Sequence, residues 1–120
     1  MRGMNKCLVW NVRGLNRPQK QREVYNFLCK NKIGIAYLVE TKLKNERFAD
    51  LYTNVFQDWH VTSNFAVCKG GRILVVWLGS CFEVDVILAM DQCVHLKVKN
   101  LALHQSFFCS FVYAFNEHSK

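Results

Sequence analysis

The chain has 120 residues, of which 51% are hydrophobic and 21% charged, with a formal net charge of +7. That length allows one domain or part of one, and a mean hydropathy near zero with this apolar content excludes a disordered chain. No apolar run is long enough to span a membrane, and Met1–Lys6 has no apolar signal region, so the chain reads as intracellular rather than secreted.

The charge is unevenly spread. Residues 1–47 hold 11 Lys/Arg against 3 Asp/Glu, a surplus of +8, whereas the remainder holds 5 against 6, or −1. A basic half of this kind suits an anionic partner such as nucleic acid. The six cysteines, at 7, 29, 68, 81, 93 and 109, include no C-x-x-C pair and show no zinc spacing with the four histidines. They read as reduced thiols, several of them acting as small apolar residues within strands.

In chain order, Cys7–Asn16 reads as a short buried strand that delivers Asn11 to its end and then turns. Asn16 and Pro18 mark a helix start, with Val24, Phe27 and Leu28 as its buried stripe and Arg22, Lys30 and Lys32 outside. Asn31, Lys32 and Gly34 close that helix. Ile35–Lys42 is then a second apolar strand ending on the carboxylate of Glu40. A strand–helix–strand crossover makes the two strands parallel, with their carboxyl ends on one edge. Asn11 and Glu40 are therefore expected at one spot, with Arg13 and Lys42 close by. An amide oxygen, a carboxylate and nearby cations suit a magnesium ion that also binds phosphate.

Phe48, Leu51, Tyr52, Val55 and Phe56 have the spacing of a helix packed on the core. Trp59–Thr62 predicts a short strand, Lys69–Gly71 a turn, and the apolar run Arg72–Leu78 a centrally buried strand broken by Gly79-Ser80. The next two strands fold about Asp91. One register sets Val84 on Val98, Val86 on Leu96 and Leu88 on Val94, and also Asp85 on Lys97 and Glu83 on Lys99. Glu83 and Asp85 then belong to a solvated face, which removes them as a catalytic pair. A last apolar strand, Phe107–Tyr113, leads into Ala114-Phe115-Asn116. His104, in a loop, and His118 are assigned no role.

Three segments in this order, Trp10–Asn16 (W-N-V-R-G-L-N), Val39–Lys42 (V-E-T-K) and Phe111–Asn116, resemble the endonuclease/exonuclease/phosphatase superfamily. Within it the likeness is to the endonuclease domain of plant LINE-type non-LTR retrotransposons, which is similar to apurinic/apyrimidinic endonucleases. It runs from about residue 5 to residue 120. The resemblance implies a DNase I-like α/β fold, a four-layered sandwich of two mixed sheets with outer helices. It implies Mg²⁺-dependent nicking of DNA, with Mn²⁺ as a substitute ion. It makes Asn11 and Glu40 the metal-site residues, and Tyr113 and Asn116 the pair that lines the site and contacts the scissile phosphate. Arg13, Arg17, Lys20 and Lys42 form the expected DNA-tracking patch.

Each of these residues also has a plainer reading. Glu40 can pair with a cation in solvent, Asn11 can shape a turn, Tyr113 can be a core aromatic, and the basic residues can be a solvated face. There are departures too. Arg13 stands where repair-type relatives carry an acid, Gly34 where an Asp commonly precedes the second strand, and Ala114 where a glycine is usual. Neither a Gly-Asp-Phe-Asn nor a Ser-Asp-His segment occurs in the 120 residues. The chain is thus expected to be a single incomplete domain, the N-terminal half, with weak or no activity, no small-molecule cofactor and no membrane partner. A non-catalytic DNA-binding remnant using the basic half is the alternative. An uncovered sheet is expected to promote self-association.

Overall fold

In a computed structural model, the described residues are Met4 and residues 6–42, 50–51, 53–63, 73–90 and 93–112. In chain order they form β1 (Lys6–Asn11), α1 (Pro18–Lys30), β2 (Ile33–Val39), β3 (His60–Ser63), β4 (Ile73–Trp77), β5 (Phe82–Ala89), β6 (Cys93–Asn100) and β7 (Gln105–Val112). Residues 50–51 and 53–54 are helical as well. The described strands make two sheets, ordered β1-β2-β4-β3 and β5-β6-β7. The first is mixed, because β1 and β2 run parallel through the α1 crossover while β2, β4 and β3 pair antiparallel. The second is antiparallel across its described strands. No described helix is long and apolar enough to cross a membrane.

All residues of β2 and β4 are buried. Side chains alternate across a strand, so each strand feeds two cores. Ile35, Tyr37 and Val39 of β2 and Ile73, Val75 and Trp77 of β4 face the second sheet, where Phe82, Val94, Leu96 and Val98 meet them. Ala36, Leu38, Leu74 and Val76 point the other way, against Val24 and Leu28 of α1 and against Leu51, Phe56 and Trp59. The uninterrupted apolar reading of both strands follows from this two-sided burial. The Tyr37 hydroxyl is buried without a well-formed hydrogen bond. Burial first, and then the neighbouring Cys109 thiol, holds its proton on far above the ordinary tyrosine range.

The local readings around α1 need three corrections. Asn16 does not cap α1: Arg17 occupies that position without a side-chain cap, and the Asn16 amide instead donates to the Lys42 carbonyl at 2.8 Å. Pro18 begins the helix, where its missing N–H costs nothing. Phe27 lies at the flank of the buried stripe, 42% exposed and tilted against Trp10, while Gln21 takes the buried place. Its amide donates to the Leu15 carbonyl at 2.8 Å, which satisfies a polar group inside the core. At the other end of α1, the Asn31 amide donates to the Phe27 carbonyl and Lys32 takes the left-handed conformation (φ +57°). Gly34 has no part in that cap and lies inside β2.

Of the expected helix, Leu51 and Phe56 are fully buried and Val55 packs beside them, although the helical residues end before Val55. Phe48, Tyr52 and the Lys69–Gly71 turn lie outside the described residues. The β5–β6 hairpin keeps the expected pairs from Glu83–Lys99 to Val86–Leu96. A shift between Val86 and Leu88 then puts Leu88 on His95 and Ala89 on Val94. Such a bulge adds one residue to a strand and turns it, which carries Ile87 and Leu88 out into solvent.

Gly34 is required by contact rather than by its dihedral angles. A Cβ there would collide with the Met4 carbonyl oxygen and come within 2.8 Å of the Phe82 ring. Any side chain at this point, an aspartate included, requires Met4 or Phe82 to move. Gly34→Ala should cost about 1–3 kcal/mol, the range for overpacking a tight core, read as a lower urea midpoint with an unchanged slope.

Candidate active site

The parallel pairing of β1 and β2 ends with Asn11 opposite Val39. Beyond the strands the two chains stay laced together. The Val12 N–H donates to the Val39 carbonyl (3.1 Å), Gly14 N–H to Glu40 (2.9 Å), and Leu15 N–H to Thr41 (2.8 Å). Val12, Leu15 and Thr41 are buried and act as anchors. Arg13 (φ +49°) and Glu40 (φ +52°), next to these anchors, and Lys42 (φ +49°), just past Thr41, adopt the left-handed conformation without being glycine. Gly14 (φ +103°) does so at little cost. Each left-handed turn beside an anchored residue directs its side chain away from the core. Non-glycine residues held this way store about 1–2 kcal/mol each, a cost often found at functional sites.

The result places Glu40 at the carboxyl edge of the sheet, its side chain about one-third exposed (31%), with Arg13 Nε 3.9 Å from Oε2. Arg13 is itself 80% exposed, and a pair this open and this long is worth little for stability. Beside it lies a groove of about 510 Å³ lined by Arg13, Gly14, Asn16, Arg17, Gln19, Lys20 and Glu23. Three of the four expected phosphate-tracking residues, Arg13, Arg17 and Lys20, therefore share one groove. Lys42 is exposed one residue beyond Thr41 and does not line it. Tyr113 and Asn116 lie outside the described residues. The roles of Gln19, Glu23 and Thr41 were not legible in the sequence. Arg17 and Lys20 were expected in the phosphate-tracking patch, but nothing marked the polar residues between the basic ones.

The donors suit Mg²⁺ in kind. Glu40 offers a carboxylate and Asn11 an amide oxygen, and Mg²⁺ characteristically takes one or two carboxylates and completes its shell with water and phosphate oxygens. Among the described residues no three His, Cys, Asp or Glu side chains cluster around a common point. Any such ion thus depends on water and on the phosphate for most of its ligands, and Arg13 competes for the Glu40 carboxylate.

No protein-family model matches the sequence, and no curated protein matches it. The solved structures do provide a neighbour, and its class is that of a DNase I-like endonuclease domain of mixed α/β type. It is the endonuclease domain of TRAS1, a telomere-specific non-LTR retrotransposon. The two superpose with a TM-score of 0.64 at 14% identity over 90% of this chain, which spans 45% of the TRAS1 domain chain. At that identity the likeness establishes the fold.

The left-handed backbone at Glu40 can be measured through its substitutions. Glu40→Gly should be more stable than Glu40→Ala by about 1 kcal/mol, because glycine alone meets a positive φ without strain. In an ordinary helical or extended conformation the order reverses, so paired urea titrations of the two variants decide it.

Proposed function

We propose that the chain is the N-terminal part of a Mg²⁺-dependent DNA endonuclease domain of plant LINE-type retrotransposon origin, with little or no nicking activity of its own. The observation that carries this reading is that Asn11 ends β1 and Glu40 follows β2 on the same carboxyl edge of two parallel strands, next to Arg13 of a groove also lined by Arg17 and Lys20. The shared fold and the motif order support it. In this reading Glu40 and Asn11 hold the ion, which when bound supplies a Lewis acid for a phosphodiester oxygen. Arg13, Arg17 and Lys20 hold the flanking phosphates, and Lys42 adds charge at the rim. Tyr113 and Asn116 contact the scissile phosphate. Mn²⁺ replaces Mg²⁺ in the same oxygen site. A DNA substrate places the site of action in the nucleus.

What these 120 residues lack is the aspartate that orients the attacking water and the Asp–His pair that grips the phosphate. Loss of a general base or of a key donor costs about 10²–10⁴-fold each, so binding outlasts catalysis. The second reading, a DNA-binding remnant, rests on the same groove.

A nicking assay on supercoiled and abasic-site DNA with Mg²⁺ should give no cleavage above that of Glu40→Ala. Cleavage that Glu40→Ala abolishes overturns the inactivity and establishes the site. In the same preparation, DNA binding should weaken with salt, and each Arg or Lys to Ala change in the groove should reduce the log–log slope by roughly 1. Failure to bind DNA at low salt removes both readings.

Self-association through the uncovered sheet edges is supported by the exposed Val9 of β1 and by Phe108 and Val112 of β7. Light scattering should find dimers or larger species, and a monodisperse monomer contradicts them.

A further inference from the structure

The outer face of the second sheet carries a three-residue relay that lies apart from the edge carrying Glu40. Cys93 and His95 stand two apart on β6, so both leave the same side of the sheet, while Val94 and Leu96 fill the core on the other. His95 is directly opposite Ser110 on β7. The Cys93 Sγ lies 3.0 Å from His95 Nε2, and His95 Nδ1 lies 2.5 Å from Ser110 Oγ. Cys93 and His95 are half-buried and Ser110 is exposed, so the group is accessible from solvent.

This is a nucleophile within reach of a base whose other nitrogen is held by a third group. With the proton on Nδ1 donated to Ser110 Oγ, Nε2 presents its lone pair to the thiol. The contact to Ser110 holds the ring orientation. The exposed Cys7 makes an internal comparison. Desolvation, and then the neighbouring Cys109 thiol, raises Cys7 above the ordinary thiol value, so exposure alone does not make it the better nucleophile.

We propose that Cys93 is an activated thiol that exchanges with small disulfides, with His95 as its base and Ser110 as the positioning residue. In the exchange the Cys93 proton passes to His95 Nε2, and the thiolate attacks one sulfur of the disulfide. The old S–S bond breaks and a new one joins Cys93 to one half of the reagent. The other half leaves as a thiolate and takes the proton from His95. Cys93 is oxidised and the departing half is reduced, so the step needs no further reactant. Among the described residues, Cys7 and Cys109 line the cavity between the sheets, on the opposite side of β6 and β7, and do not resolve the mixed disulfide.

The test uses the 120-residue chain, oxidised glutathione at pH 7, and peptide mass spectrometry to time each cysteine. Cys93 should be modified about 10-fold faster than Cys7 or Cys29, and His95→Gln should slow Cys93 about 10-fold with the other sites unchanged. Ser110→Ala should slow it less. In urea the wild-type advantage of Cys93 should vanish, a comparison that holds even if a variant misfolds. Equal rates at Cys93 and Cys7 in the folded chain, or a Cys93 advantage that persists in urea, overturn the proposal.

Discussion

The structure depends on the parallel seam between β1 and β2. Its backbone ladder continues past the strand ends, and that continuation, rather than any side-chain contact, fixes where Glu40 and Arg13 stand. A backbone hydrogen bond contributes only about 0.5–1.5 kcal/mol net, yet an unmade one in a buried place costs more. Three successive bonds between residues 12–15 and 39–41 therefore define the backbone of the site within narrow limits. Beside the buried Val12, Leu15 and Thr41, Arg13 and Glu40 take left-handed conformations. A site built this way is positioned before any ligand arrives, and preorganisation of that kind is what charge-stabilising chemistry requires.

Much of this was legible in the sequence because several constraints agreed. From Glu83–Lys99 to Val86–Leu96 the β5–β6 register satisfied apolar pairs on one face and opposite charges on the other, and that part of the hairpin keeps it. The parallel pairing of β1 and β2, which puts the ends carrying Asn11 and Glu40 on one edge, followed from a strand, an amphipathic helix and a strand in succession. The double burial of β4 followed from its unbroken apolar run.

What was not legible has physical causes as well. The bulge at Ile87 arises from local twist and leaves no residue signature. The left-handed turns at Arg13, Glu40 and Lys42 carry no glycine to announce them. Gly34 looked like a helix terminator because its real partner, the backbone of Met4, is distant in sequence. The Cys93–His95–Ser110 group could not be read at all, since Ser110 meets His95 only through the β6–β7 register. At 14% identity the TRAS1 likeness lies in backbone geometry, which explains why a fold is shared where no family model responds.

The arrangement of β2 has a mechanical consequence. Its seven residues are at once the floor of one core and the ceiling of the other, and β4 beside it is used in the same way. A disturbance on the α1 side is thus transmitted through a single strand thickness to the packing between the sheets. Neither layer can loosen while its neighbour stays intact. Glu40, which follows β2 directly, is therefore held from both faces of that strand, whereas Asn11 ends the more exposed β1.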